Sequence, residues 1–178
     1  VISIAAGVTI ARITDVLGDL PVVRVMPNTP ALISQGASGL CSNKQAAPML
    51  DTVRSIFESV GKVVVVDSED LIDSVTAVSG SGPAYYFLLM EKMIEAGIEI
   101  GLPADVAKDL VLQTAKGAAM LALGADATGE TPAELRRKVT SPGGTTEAAL
   151  KVFADGKMPE TIVAGIIRAR DRARELSG

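Results

Sequence analysis

The sequence predicts an α/β region followed by an all-α region, with the boundary near residue 68. Through residue 67, strand-like and helix-like segments alternate, which favours an open sheet of parallel strands flanked by helices. From residue 68 to 178, only helical periodicity is found. Four prolines stand at or near predicted helix starts, where a missing N–H costs little: Pro83, Pro103, Pro132 and Pro159. We therefore predict two domains, residues 1–67 and 68–178.

The predicted elements follow from the spacing of apolar residues. Strands are predicted over 1–6, 21–26, 37–41 and 62–67, and helices over 9–17 and 45–60. Residues 63–66 are four consecutive valines, a run typical of a strand buried on both faces of a parallel sheet. In the second region the predicted helices cover 69–79, 83–100, 104–123, 132–139, 145–154 and 159–176.

Composition excludes several classes of function. The chain of 178 residues has a net charge of −4, and its basic residues form no large cluster before the C-terminus. A nucleic-acid partner is therefore not expected. The chain has no histidine and a single cysteine, Cys41, which removes the usual general base, the usual zinc ligand and any internal disulfide. We expect chemistry that needs neither an imidazole nor a metal.

The chain begins with Val1 and the apolar segment that follows it, without an initiator methionine or a signal-like start. We expect it to be the later part of a longer protein. No apolar run reaches membrane-spanning length without charges. The expected location is the reducing cytoplasm, with no membrane association.

Residues 139–147 form the most informative segment, because two glycines, a proline and four hydroxyl residues precede a predicted helix. Glycine lets the backbone approach a ligand closely, and a helix start offers unpaired N–H groups to an anion. The hydroxyls of Ser141, Thr145 and Thr146 can add directional hydrogen bonds. The segment indicates a site for a small carboxylate, although an ordinary helix cap with a Gly-rich approach is an equal alternative.

Two loops follow predicted strands at the edge of the sheet, where ligands bind in open α/β folds. Residues 26–30 (MPNTP) combine two prolines with Asn28, and residues 3–7 (SIAAG) contain small residues that let a flat ring approach. Structural turns are the alternative for both. Residues 80–85 start like a dinucleotide motif but follow a helix and lack the last glycine. We interpret them as a break between two helices, capped by Ser81 or Gly82.

The two longest predicted helices in the middle of the chain are apolar on more than one side. Their charged residues occupy a narrow sector of each helix, so more apolar surface remains than one neighbour can cover. A helical region of this size would struggle to bury both helices alone. We expect an obligate, interlocked homodimer, with a compact monomer as the alternative.

Four segments, in this order along the chain, resemble the 1-pyrroline-5-carboxylate reductases, which catalyse the last step of proline biosynthesis. They are residues 3–10, residues 26–30, residues 70–85 (DLIDSVTAVSGSGPAY) and residues 135–149 (LRRKVTSPGGTTEAA). The last is similar to the family's signature, and together they extend over essentially the whole chain. The resemblance implies the C-terminal portion of a Rossmann-like parallel sheet followed by a helical dimerisation domain. It also implies that the Gly-rich cofactor turn of the family lies outside these residues.

The resemblance implies NAD(P)H-dependent reduction of 1-pyrroline-5-carboxylate to L-proline, with a hydride delivered to the C=N carbon. An imine needs activation at nitrogen rather than a strong base, so the absence of histidine is no obstacle. By resemblance, the hydroxyl of Thr146 would bond the ring nitrogen. Ser141 and the N–H groups of Gly144 and Thr145 would hold the substrate carboxylate.

On the cofactor side, the resemblance places Ala5 and Ala6 against the nicotinamide and brings Asn28 and Lys138 to the cofactor. Glu69 matches a substrate-proximal position. The resemblance implies NADPH or NADH as the cofactor, without a metal, and a second copy of the chain as the partner, with a larger oligomer of dimers as an alternative.

Two other functions stay open. One is a non-catalytic fragment whose helical region only drives dimerisation. The other is a related imine or hydroxyacid reductase, in which Lys138 or Lys116 would be the catalytic lysine. The signature turn favours the pyrroline substrate over both.

Overall fold

A computed structural model describes all 178 residues of the chain. Its four strands are β1 (Ile2–Ser3), β2 (Val23–Met26), β3 (Gly36–Ser42) and β4 (Gly61–Val65). Its helices are α1 (Ile10–Leu17), α2 (Leu50–Glu58), α3 (Asp70–Val75), α4 (Gly82–Glu99), α5 (Ala104–Asp126), α6 (Pro132–Lys138), α7 (Thr145–Asp155) and α8 (Met158–Ser177). Short 3₁₀ helices cover Thr29–Ile33 and Lys44–Met49.

The predicted fold class is confirmed, because the last strand ends at Val65 and every later element is a helix. The strands form one sheet in the order β1-β2-β3-β4, with β1–β2 and β3–β4 parallel. The expectation of a wholly parallel sheet is wrong at one pair, since β2 and β3 are antiparallel. Only residues 27–35 connect them, and a parallel pair needs a longer crossover.

The core of the sheet lies between its strands and α2. Its members are apolar and nearly inaccessible to solvent: Val23, Val25, Leu40, Ala46, Val53 and Val63. The prediction that β4 is buried on both faces is wrong, because Val63 is buried whereas Val64 is 54% exposed. One face of β4 packs against α2. The opposite face, which carries Val64, is not covered by another element of this chain.

A buried ion pair connects three elements around β2. Arg24 is almost fully buried, and its Nη1 donates to Oε1 of Glu69 at 2.8 Å. The same oxygen accepts the N–H of Ile10, the first residue of α1, at 2.8 Å. Glu69 directly precedes α3. One carboxylate thus neutralises a charge inside the sheet and caps a helix start, where negative charge is favourable.

The interpretation of residues 80–85 as a break between two helices agrees with the structure, because α3 runs into a π turn over Thr76–Gly80 that ends at Ser81, and α4 begins at Gly82 with Pro83 in its first turn. In this turn the N–H of Ser81 donates to the carbonyl of Thr76 at 2.8 Å, five residues back. The turn leaves the carbonyl of Ala77 to the Tyr85 hydroxyl, which donates to it at 3.1 Å. Ser81 is the cap residue of the π turn, with φ of −85° and ψ of −18°.

Packing divides the chain into two compact units. The first comprises residues 1–85 and 163–178, and the second residues 86–162. In the first unit the end of α8 meets the early part of the chain, because Ser177 Oγ donates to Asp73 at 3.3 Å. The predicted domain boundary near residue 68 marks where strands give way to helices and stays a prediction. None of the helices combines the length and apolarity needed to cross a membrane.

Gly39 of β3 has no room for a side chain. A Cβ atom at this position would lie 2.7 Å from both γ-methyl groups of Val75. We expect Gly39→Ala to lower the free energy of unfolding by about 1–3 kcal/mol through overpacking, measured by urea denaturation. Val75→Ala in the same chain should recover part of the loss. A double variant no more stable than Gly39→Ala alone would contradict this packing.

Cys41 of β3 faces the buried pair and should be unreactive. Burial raises the pKa of its thiol to about 11, with a further contribution from the Glu69 charge, whereas Arg24 lowers it. Because the folded state holds this proton more tightly than the unfolded state, the thiol's stabilising contribution is lost as pH rises from about 9 to about 11. We expect Cys41→Ala to flatten stability in this window, and the native thiol to resist alkylation at pH 8. Fast alkylation of the folded chain would contradict its burial.

Candidate functional site

The turn before α7 is organised by its own backbone and one carboxylate. Gly143 adopts a left-handed conformation with φ of 72°, which glycine tolerates without strain. Its N–H donates to Oε2 of Glu147 at 2.7 Å, and the N–H of Gly144 donates to the carbonyl of Ser141 at 3.0 Å. The turn is therefore preformed, with Gly144 at the helix cap position.

Gly144 also brings the turn close to Ser141. A Cβ atom at Gly144 would lie 2.7 Å from Ser141 Oγ and 3.0 Å from its carbonyl oxygen, so only glycine fits. Because the Gly144 N–H is engaged within the turn, the donors that remain at the helix start are the N–H groups of Thr145, Thr146 and Glu147. The hydroxyls of Ser141, Thr145 and Thr146 make no hydrogen bond to the chain. These groups can receive an anion with a second polar atom.

Lys138, the last residue of α6, is 67% exposed and pairs with Glu130. Glu130 was not predicted from the sequence, although it directly precedes the capping box that begins at Thr131. Thr131 and Glu134 form a reciprocal capping box at the start of α6, a pattern that the spacing Thr-x-x-Glu predicts. The pair borders an open polar depression with these lining residues: Thr128, Gly129, Glu130, Glu134, Arg137 and Lys138.

The first unit carries the other predicted site residues, and three of them, Ala5, Ala6 and Asn28, lie at one edge of its sheet. Because β1 and β2 are parallel, the turn after β1 and the loop after β2 leave the sheet from the same edge. Ala5 and Ala6 are exposed in that turn. Gly7 follows with φ of 71°, and a Cβ atom there would lie 3.0 Å from the carbonyl oxygen of Leu176. The small residues thus leave open backbone at this edge.

Asn28 lies at the same edge, but its side chain is engaged within the chain. Its Oδ1 accepts the N–H of Ala37 at 2.9 Å, and its Nδ2 donates to the carbonyl of Ser79 at 3.2 Å. Glu69 is also engaged, by Arg24 and the N–H of Ile10. Of the predicted site residues, one turn therefore holds four (Ser141, Gly144, Thr145 and Thr146), and Lys138 belongs to the same unit. Ala5, Ala6, Asn28 and Glu69 belong to the other.

Comparison with known proteins covers nearly the whole chain. The family model for pyrroline-5-carboxylate reductase dimerisation matches residues 69–176. A relative from Pseudomonas aeruginosa, named pyrroline-5-carboxylate reductase, is 49% identical over 99% of this chain. A relative of the same name from Synechocystis is 43% identical, also over 99% of this chain. The chain spans 64% and 65% of the lengths of these two relatives.

Solved structures of similarly named proteins share the fold. The structure of a pyrroline-5-carboxylate reductase from Coxiella burnetii superimposes with a TM-score of 0.92 at 44% identity, and covers 99% of this chain and 65% of that one. The pyrroline carboxylate reductase from Plasmodium falciparum, solved with NADP bound, gives a TM-score of 0.90 at 32% identity, over 99% of this chain and 70% of that one. The family model, the relatives and the structures agree, and this chain belongs to the pyrroline-5-carboxylate reductase family.

Proposed function

We propose that this chain provides the substrate site of an NAD(P)H-dependent reductase that converts 1-pyrroline-5-carboxylate into L-proline. The observation that carries the proposal is the turn before α7. There, unpaired N–H groups at the start of α7 and unengaged hydroxyls lie within one short segment, in which Gly144 leaves no side chain against Ser141. The substrate has one carboxylate and one ring nitrogen, and this donor set suits both.

In the proposed complex, the substrate carboxylate accepts from the N–H groups at the start of α7 and from Ser141. Gly144 permits the close approach, and Thr145 supplies one of the N–H groups. The Thr146 hydroxyl bonds the ring nitrogen and orients the C=N bond. Catalysis then depends mainly on holding the ring in place, because a positioned imine needs no strong base.

NADPH or NADH supplies the hydride when bound. Ala5 and Ala6 offer exposed backbone to the nicotinamide end, which a flat ring can approach because the side chains are small. In this proposal, Asn28 contributes the loop that follows β2, and Lys138 contributes a positive charge near the cofactor. Glu69 would act near the substrate through the helix start that it caps. The NADP bound to the Plasmodium protein supports the class of cofactor.

We further propose a homodimer built on the helical unit. Within residues 86–162, α4 and α5 present many apolar side chains to solvent: Tyr86, Phe87, Leu88, Ile98, Leu110, Met120, Leu121 and Leu123. A surface this apolar on one chain is typical of an interface. The description of the matching family model as a dimerisation region supports a second copy as the partner. The same surface favours a dimerisation module without catalysis as the second candidate function.

Titration with L-proline tests the substrate site directly. We expect the chain to bind L-proline in calorimetry, and Thr146→Ala and Ser141→Ala to weaken binding about tenfold each, since each loses a hydrogen bond to the ligand. Thr161→Ala, an exposed threonine in α8, is the matched control and should leave affinity unchanged. Equal affinities for all four chains would remove the turn from the site.

Activity separates the two candidate functions. Joined to the part of the Pseudomonas relative that this chain does not span, the chain should reduce 1-pyrroline-5-carboxylate, followed by NADPH absorbance. Thr146→Ala should lower kcat roughly 10²-fold, because the imine loses its orienting hydrogen bond. A folded, dimeric chimera without activity would favour the dimerisation module.

Light scattering after size exclusion tests the homodimer. We expect twice the chain mass of 18.3 kDa. Leu121→Glu places a charge in the apolar surface and should shift the chain to monomer. Lys151→Glu, at an exposed lysine of α7 outside this apolar surface, is the control and should remain dimeric. A wild-type monomer at micromolar concentration would contradict the proposal.

A further inference from the structure

The loop after β2 and the π turn after α3 meet at one side chain, that of Asn28. Two distant segments supply this contact, since Asn28 and Ser79 are 51 residues apart. The network is closed: Asn28 Oδ1 accepts from the Ala37 N–H, Asn28 Nδ2 donates to the Ser79 carbonyl, and Ser79 Oγ donates to the Ala37 carbonyl at 2.7 Å. Three residues thus satisfy one another.

On the sheet side, the side chain of Asn28 makes the hydrogen bond that would come next if the pairing of β2 with β3 continued. The antiparallel register of β2 and β3 ends with Met26 opposite Gly39. Continued by two residues, it would place Asn28 opposite Ala37. The chain instead turns away at Pro27 into the 3₁₀ helix Thr29–Ile33. The Asn28 side chain then takes the Ala37 N–H that a strand would have bonded.

On the helix side, Asn28 replaces a donor that the sequence removes. In a regular helix the N–H of residue 83 would bond the Ser79 carbonyl, but Pro83 has none. The next amide, of Ala84, donates to Ser81 at 3.0 Å instead. The Ser79 carbonyl receives Asn28 Nδ2. The two proline-containing segments, residues 26–30 and 80–85, are therefore complementary halves of one contact.

We infer that Asn28 is a positioning residue that fastens the loop after β2 to the π turn, and thereby holds the cofactor-facing edge of the sheet. This inference rests on the proposed function, since it assumes that the cofactor approaches the edge shared by Ala5, Ala6 and this loop. Asn28 acts through Ala37 and Ser79. Its amide is committed to these two partners and does not bind the cofactor.

Asn28→Asp tests the fastening, because it keeps the oxygen that accepts from Ala37 and replaces the donor to Ser79 with an oxygen. Asn43→Asp is the matched control. Asn43 Oδ1 accepts from Val22 and Ala46, and its Nδ2 donates to Leu20 at 2.8 Å. The Asn43→Asp variant therefore also loses one hydrogen bond from a side-chain amide to a backbone carbonyl, at the opposite end of the β2–β3 pair.

We expect Asn28→Asp to speed amide hydrogen exchange about tenfold at Ala37 and in residues 29–34, with no ligand present. Asn43→Asp should leave these amides unchanged. In calorimetry with NADP⁺, Asn28→Asp should weaken affinity about tenfold and Asn43→Asp less than threefold. This pattern supports a positioning role, since the local change precedes any ligand.

Three results would overturn the inference. Unchanged exchange in Asn28→Asp means that the contact does not hold the loop. Weakened NADP⁺ binding with unchanged exchange makes Asn28 a direct ligand. Equal losses of affinity in both variants indicate general destabilisation. If the unsubstituted chain binds no NADP⁺, the cofactor part of the proposed function fails for these residues, and the exchange measurement alone decides the fastening.

Discussion

The buried charge of Arg24 in the four-stranded sheet constrains the positions of β2, α1 and the start of α3. An unpaired guanidinium at that depth would cost several kcal/mol, so Glu69 must stand at the right place when α3 begins. The same carboxylate caps α1, which follows the turn that carries Ala5 and Ala6. One ion pair therefore sets the position of a strand, a helix start and the entry to the helical region. Cys41, opposite Arg24 in the register, is kept neutral by the same burial.

Side chains complete the backbone where prolines and turns interrupt it. Glu147 accepts the N–H of Gly143, Tyr85 donates to the carbonyl of Ala77, and Asn28 serves both Ala37 and Ser79. The contacts of Tyr85 and Asn28 share a physical cause, because a half-buried backbone group without a partner is costly, whereas the contact of Glu147 is exposed and fixes a turn. They occur at the sheet edge and at the helix start where we place the two ligands. Rigid turns at these positions reduce the freedom that binding would otherwise remove.

Local patterns in the sequence were sufficient for most of the fold, and failed where partners are distant. Alternating strands and helices through residue 67, and helical periodicity afterwards, predicted every major element because those signals are local. The antiparallel β2–β3 pair followed from the length of residues 27–35, which the strand-helix alternation obscured. At the π turn, Asn28 bonds the Ser79 carbonyl, for which Pro83 has no N–H, and no local window of sequence contains both residues.

The candidate site divides in the same way. The glycines and hydroxyls before α7 are contiguous, so their meeting in one turn was predictable from residues 139–147. The engagement of Asn28 and Glu69 was not, since their partners lie 9 to 59 residues away in the sequence. Both residues were expected to face ligands, and the geometry gives them bonds to the chain itself. Polar residues in a family motif can thus serve the scaffold as well as the chemistry.

The first compact unit is made of two pieces of chain, residues 1–85 and 163–178. During synthesis the strands emerge before α4 to α7, whereas the segment that packs on Gly7 and bonds Asp73 emerges after them. At about 5–20 residues per second, the interval is on the order of ten seconds. Throughout that time the turn after β1 lacks its contact with Leu176. The sheet can thus assemble before the helical unit is made, whereas this turn gains its neighbour from α8 only after the helical unit has been made.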